Sequence, residues 1–172
     1  MTSASQSLRS VFVAGLQNAH ALEHQAISLI DRQLDRLVRY PEISDRLRSH
    51  RVETQVQIRR LDEILSSMGE SHSMLKDAAM SMVGNFAALS HVVAPDEVLK
   101  NQFVNHAFEA FEIASYTSLI TLADAGAFPS AAKRLEETLR EEEAMAAWVK
   151  ESLPALTRKY AGLREEEGTA SH

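Results

Sequence analysis

Apolar residues recur three and four positions apart along most of the chain, the spacing that lines one face of an α-helix. Leu16, His20, Glu23, Ile27, Ile30, Leu34 and Leu37 form one such stripe. Ile43, Leu47, His50, Thr54, Gln57, Leu61 and Ile64 form a second, and Ala132, Leu135, Leu139, Glu142, Ala146, Val149 and Leu153 a third. The pattern predicts a first helix from Ser5 or Ser7 to about Arg39, where Tyr40 and Pro41 stop it, since the residue before proline disfavours the α region. A second helix is predicted from about Glu42 to Met68, with Gly69 as its C-terminal signal. A shorter apolar pattern over residues 74–90, closed by Pro95, reads as a crossover helix. A third long helix runs from about Asp96 to Ala125. Gly126 and Pro129 break it, and a fourth starts near Ser130 and continues past Trp148. Pro154 is expected to kink the fourth helix or to begin a short final one.

Each apolar stripe is interrupted by polar residues near its middle. His20 and Glu23 break the first, and His50, Thr54 and Gln57 the second, with Glu53 at the edge of that stripe; Glu142 breaks the fourth helix. In the third helix "FEAFEIASYTSL" sets Glu109 and Glu112 among Phe108, Ile113, Tyr116 and Leu119. Thirty residues separate Glu23 from Glu53, and thirty separate Glu112 from Glu142. Four antiparallel helices of similar length would therefore bring Glu23, Glu53, Glu112 and Glu142 to one level in the centre of a bundle. Buried carboxylates at short range cannot all stay ionised without a positive partner, because desolvation and mutual repulsion both oppose the charge. Divalent metals meet that demand through carboxylate oxygen and imidazole. Protonation or pairing with arginine meets it without a ligand. His50 and Glu109 are further candidate ligands, Gln57 is a weak oxygen ligand or an orienting group, and Tyr116 is a buried neighbour of Glu112.

Composition changes the picture mainly by exclusion. The 172 residues, 45% of them hydrophobic, suffice for one domain, expected over residues 1–162, with "REEEGTASH" ending a disordered tail over 163–172. A formal charge of -6 and no dense Lys/Arg stripe argue against nucleic-acid or membrane partners. No apolar run approaches the ~18 residues that span a bilayer. Cysteine is absent, and the N-terminus has no apolar signal core, so a cytoplasmic protein is expected.

The segments "NAHALE", "HRVETQVQIRRLDEIL", "FEIASYTSLITLA" and "LEETLREEEAMAAW" resemble the bacterial YciE/YciF family, and the resemblance runs to about Ala161. It implies an all-α, ferritin-like four-helix bundle with an additional helix in the long crossover, a link to stress responses and no established activity. Carried over by position, the motif glutamates are Glu23, Glu53, Glu112 and Glu142. Di-iron relatives of wider kinship follow two of their ligand glutamates with Glu-x-x-His. Val56 and Met145 stand at those places here, and His20 and His50 instead precede their glutamates by three.

The expectation is a metal-binding protein holding one or two ions per chain, iron first and manganese or zinc as alternatives. It would handle iron or carry out redox chemistry with a small oxidant such as oxygen or peroxide, and form a homodimer. The competing expectation is a non-catalytic structural or interaction protein with a degenerate site.

Overall fold

A computed structural model describes residues 3–70 and 97–169 of the chain. Four helices account for nearly all of them: α1 Ser3–Leu34, α2 Pro41–Ser67, α3 Glu97–Ala125 and α4 Pro129–Thr169. The crossover helix expected over residues 74–90 lies outside the described residues.

Local chemistry explains the boundaries. α1 stops at Leu34, short of the expected Arg39, where the amides of Arg36 and Leu37 bond the carbonyls of Gln33 and Leu34 in a tight turn. Pro41 opens α2, a place where its missing N–H costs nothing. Gly69 closes it with φ of 76°, and the amide of Glu70 returns to the Leu65 carbonyl. Between α3 and α4 the left-handed residue is Ala127, with φ of 57°. Gly126 is needed there for space, because a Cβ on it would stand 2.4 Å from the Phe128 ring, which stacks on Phe12 at 5.3 Å.

α4 differs from expectation at two places. Pro154 neither ends nor restarts it; the proline sits on the exposed side, where the carbonyl it leaves unbonded can reach water. The tail expected to be disordered from residue 163 is helical through Thr169. Leu163 packs on the core, and Arg39 binds Glu167 at 2.5 Å.

Cross-helix pairs give the topology. Gln33 and Asn105 exchange two amide hydrogen bonds of 2.8 and 3.0 Å, and Tyr116 donates to Glu23, so α1 and α3 run antiparallel. Glu63 pairs with Arg134 and Glu42 with Lys159, so α2 and α4 do as well. α2 and α3 are thus parallel and lie across a diagonal, the up-down-down-up order of a ferritin-like bundle. Phe12, Leu16, Leu61, Ile64, Leu119 and Leu135 close one end of the interior. Ile30, Leu37, Ile43, Leu47, Met145 and Val149 fill the other. The interrupting polar residues lie between the two apolar layers.

The layers should carry the stability of the fold whatever the polar level binds. Leu61→Ala, at a position 1% exposed, is expected to lower the unfolding free energy by about 2–5 kcal/mol. Urea denaturation in the presence of a chelator measures it; a loss under ~1 kcal/mol would show that the layer is not close-packed.

Candidate metal centre

Three of the four long helices deliver a carboxylate to the polar level on the same face as their apolar stripe, and α2 delivers an imidazole. Glu23 comes from α1, Glu109 and Glu112 from α3 and Glu142 from α4, and all four are buried, Glu142 completely. His50 arrives on the inner stripe of α2, between Leu47 and Thr54, and is buried too.

The imidazole organises the site. Its Nδ1 lies 2.9 Å from Glu53 Oε2, and Arg46 Nη1 donates to the same oxygen at 3.1 Å. Its Nε2 faces the interior, 3.5 Å from Glu109 Oε1 and 3.6 Å from Glu142 Oε2. These distances are long for N–H···O bonds. They approach the roughly 3.0–3.5 Å between ligand atoms that share one ion at about 2.1 Å. One ligand atom from each of His50, Glu109 and Glu142 falls within 4.8 Å of the other two. Once the ring gives up its second proton, Nδ1 donating to Glu53 would leave the Nε2 lone pair free, the carboxylate–histidine arrangement that orients an imidazole toward a metal.

Around this group the carboxylates are short of donors. Among the described residues neither oxygen of Glu112 or Glu142 has a hydrogen-bond partner, nor does Oε2 of Glu23 or of Glu109. Of these four, among the described residues, only Glu23 receives a strong bond from a neutral side chain, the Tyr116 hydroxyl donating to Oε1. Buried polar oxygens are rarely left so, and an oxygen-rich set with one imidazole suits a hard or borderline divalent cation. The residues therefore fit a metal.

Charge at the site follows from burial. Desolvation raises the Glu23 carboxyl to about 8, although Tyr116 and His50 work against it. Glu112 is pushed well above the ordinary range by burial and by the charges of Glu142, Glu23 and Glu109. Glu142 is raised by burial, then by Glu23 and Glu109. Burial also lifts the Tyr116 phenol, with Glu23 adding to it. For His50 burial favours the neutral ring, but the hydrogen bonds to Glu109 and Glu53 outweigh it and hold the ring up at about 9. Glu53 goes the other way, down to about 2, chiefly through its bond to His50 and helped by Arg46.

Of the candidates read from the sequence, His50, Glu109 and Glu142 come together, with Glu23 and Glu112 electrostatically coupled to them. Glu53 does not join the interior group. Its side chain is 33% exposed and serves as the outer partner of His50 and Arg46. His20 pairs with Asp62 at 2.9 Å and lies against His24 instead of reaching the carboxylates. Gln57 is buried and donates to Glu141 Oε2 at 3.0 Å. Sequence reasoning missed Glu141, and missed Arg60, which grips both oxygens of Glu141 at 2.6 and 2.8 Å. The signal was the alignment of Arg60 with Gln57 on α2, one turn apart.

These shifts predict an inverted pH response in metal-free protein. A carboxyl near 4.5 when unfolded and raised when folded binds extra protons only in the native state, so its stabilisation fades as pH climbs from about 4.5 toward 8. His50 adds the same sign between about 6.5 and 9, while Glu53 contributes above 4.5 and is lost only on acidification toward 2. The melting temperature in chelator is expected to fall steadily between about pH 5 and pH 8. A flat or rising profile by circular dichroism would contradict the assigned charge states.

The chain's relatives agree with this architecture. A family described as Domain of unknown function (DUF892) matches residues 7–162. Protein YciF of Escherichia coli strain K12 is 32% identical over 149 residues, covering 81% of this chain and 86% of its own. Among solved structures, a protein from Xanthomonas campestris pv. campestris superposes with a TM-score of 0.76 at 29% identity, over 93% of this chain and 99% of that one. The structure of the E. coli stress protein YciF superposes with a TM-score of 0.71 at 27% identity, over 88% of this chain and 98% of that one. With the family match across nearly the whole bundle, the same fold and the level of identity to YciF, the chain belongs to the YciE/YciF family of ferritin-like proteins.

Proposed function

We propose that this protein binds one or two divalent metal ions, iron first and manganese or zinc as alternatives, and uses them in redox or iron handling during stress. The observation that carries the reading is the set of partnerless buried oxygens on Glu23, Glu109, Glu112 and Glu142 around the inward nitrogen of His50. The description of E. coli YciF as a stress protein supports the physiological half. His50, Glu109 and Glu142 would hold one ion, and Glu23 and Glu112 supply the oxygens for a second. Bound iron supplies electron exchange with a small oxidant such as oxygen or peroxide. The chain's own part is to fix the imidazole through Glu53, to keep water out with the two apolar layers, and to keep the Tyr116 hydroxyl donating to Glu23 Oε1.

A second reading, a non-catalytic structural protein whose carboxylates stay protonated, draws on the raised carboxyls and on Met145, which fills an apolar cluster where di-iron relatives place histidine. Elemental mass spectrometry on untagged protein loaded anaerobically with Fe(II) separates the two. About one to two irons per chain are expected, with Glu142→Ala losing at least about half of them. No iron in the wild type, together with a melting temperature indifferent to chelator, would establish the structural reading instead.

A further inference from the structure

A hydrated ion must cross the helix wall to reach these carboxylates, because apolar side chains plug both ends of the bundle. Between α1 and α3, Leu22, Ala26, Leu29 and Phe108 form an apolar cluster at the same depth, which offers a hydrated ion no ligand. The wall between α2 and α4 is built differently. Here the helices meet through long polar side chains, Arg46, Glu53, Gln57 and Arg60 from one and Thr138 and Glu141 from the other. A surface cleft of about 400 Å³ lies over them, lined by Arg46, Glu53, Arg60, Glu141 and Ala144 among others.

Resting on the metal-binding reading above, we propose that this α2–α4 cleft is the path by which divalent cations reach His50, Glu109 and Glu142. Glu53 receives the ion from solvent, and Arg46 restrains it. Glu53 connects the two sides: it lines the cleft with a third of its side chain exposed, and its Oε2 touches the imidazole whose other nitrogen faces Glu109 and Glu142. Glu141 makes a second connection. Gln57 holds it from within, fully buried, and the Oε1 of Gln57 has no hydrogen-bond partner among the described residues. That leaves a buried oxygen beside Glu141, which itself lines the cleft, for a passing cation. Arg60 occupies both oxygens of Glu141, whereas Arg46 makes a single contact with Glu53. Glu53 is therefore the carboxylate an incoming cation can win, in competition with Arg46.

The route is tested by stopped-flow loading with Co(II), followed through quenching of Trp148, the chain's one tryptophan. Ala144→Phe fills the cleft from an exposed position and is expected to slow loading about tenfold while leaving the final quench unchanged. Arg46→Ala frees Glu53 and removes a repelling charge, and should speed loading roughly threefold. Val104→Phe, in a separate basin between α1 and α3, should leave the rate at the wild-type value. Wild-type rates in both Ala144→Phe and Arg46→Ala, or slow loading in Val104→Phe alone, would overturn the route while leaving the metal site standing. Absence of any Co(II) quench in the wild type would overturn the metal site and the route with it.

Discussion

Everything in this bundle is arranged around four carboxylates that have been taken out of water. Moving an ionised carboxylate into a low-dielectric interior is among the most costly acts in folding, and neighbouring negative charges add to it. Glu23, Glu109, Glu112 and Glu142 are buried at one level, and among the described residues only His50 and the Tyr116 hydroxyl offer compensation. A structure tolerates such a layer only if the rest of the interior supplies a large apolar surplus. The two clusters above and below it, reaching from Phe12 to Leu135 and from Ile30 to Leu156, supply that surplus. The polar level is thus held in place by its neighbours and adds little to folding by itself.

The same constraint divides the carboxylates by depth. Glu23, Glu112 and Glu142 are driven toward the protonated form, whereas Glu53, a third exposed and between an imidazole and a guanidinium, is driven toward the ionised one. Two residues of one chemical type therefore serve opposite purposes, as environments separate acids from bases. His50 stands at the boundary, with one nitrogen on each side. An ion placed among Glu109, Glu142 and His50 would replace protons as the neutralising charge, so metal affinity and proton release are linked at this site.

Much of this was legible because helix periodicity is a strong constraint. All seven inner positions read for α2, from Ile43 to Ile64, are buried, and so are Glu23, Glu109, Glu112 and Glu142. Equal spacing within two helical hairpins located the level. What periodicity does not encode is which helices adjoin and which way an edge residue turns. Glu53 lies on the margin of its stripe, where a small rotation decides between core and solvent, and Arg46 tips the balance outward. Arg60 and Glu141 meet across two helices 81 positions apart in sequence, a pairing that depends on α2 and α4 being neighbours. Of the two outcomes expected at Pro154, a kink or the start of a new helix, the second does not occur. A proline breaks a helix when its surroundings need the lost hydrogen bond, and on the exposed side of α4 they do not.

The displaced histidine has a chemical consequence. Di-iron bundles of the Glu-x-x-His type bring two imidazoles, one turn after each of two glutamates. Here those places hold Val56 and Met145, and Met145 is fully buried in an apolar cluster, so neither offers nitrogen. Among the described residues nitrogen comes once to this group, from His50, a turn before Glu53 and on the side of the α2–α4 cleft. A site with one imidazole and several carboxylates is harder than a site with two, and harder ligands favour the more oxidised, more highly charged state of a redox metal. Two positions of unlike surroundings would follow, one with His50 and one made of carboxylate oxygen alone beside Tyr116. The asymmetry is already present in the protein, because burial and hydrogen bonding treat Glu23 and Glu142 differently before any ion arrives.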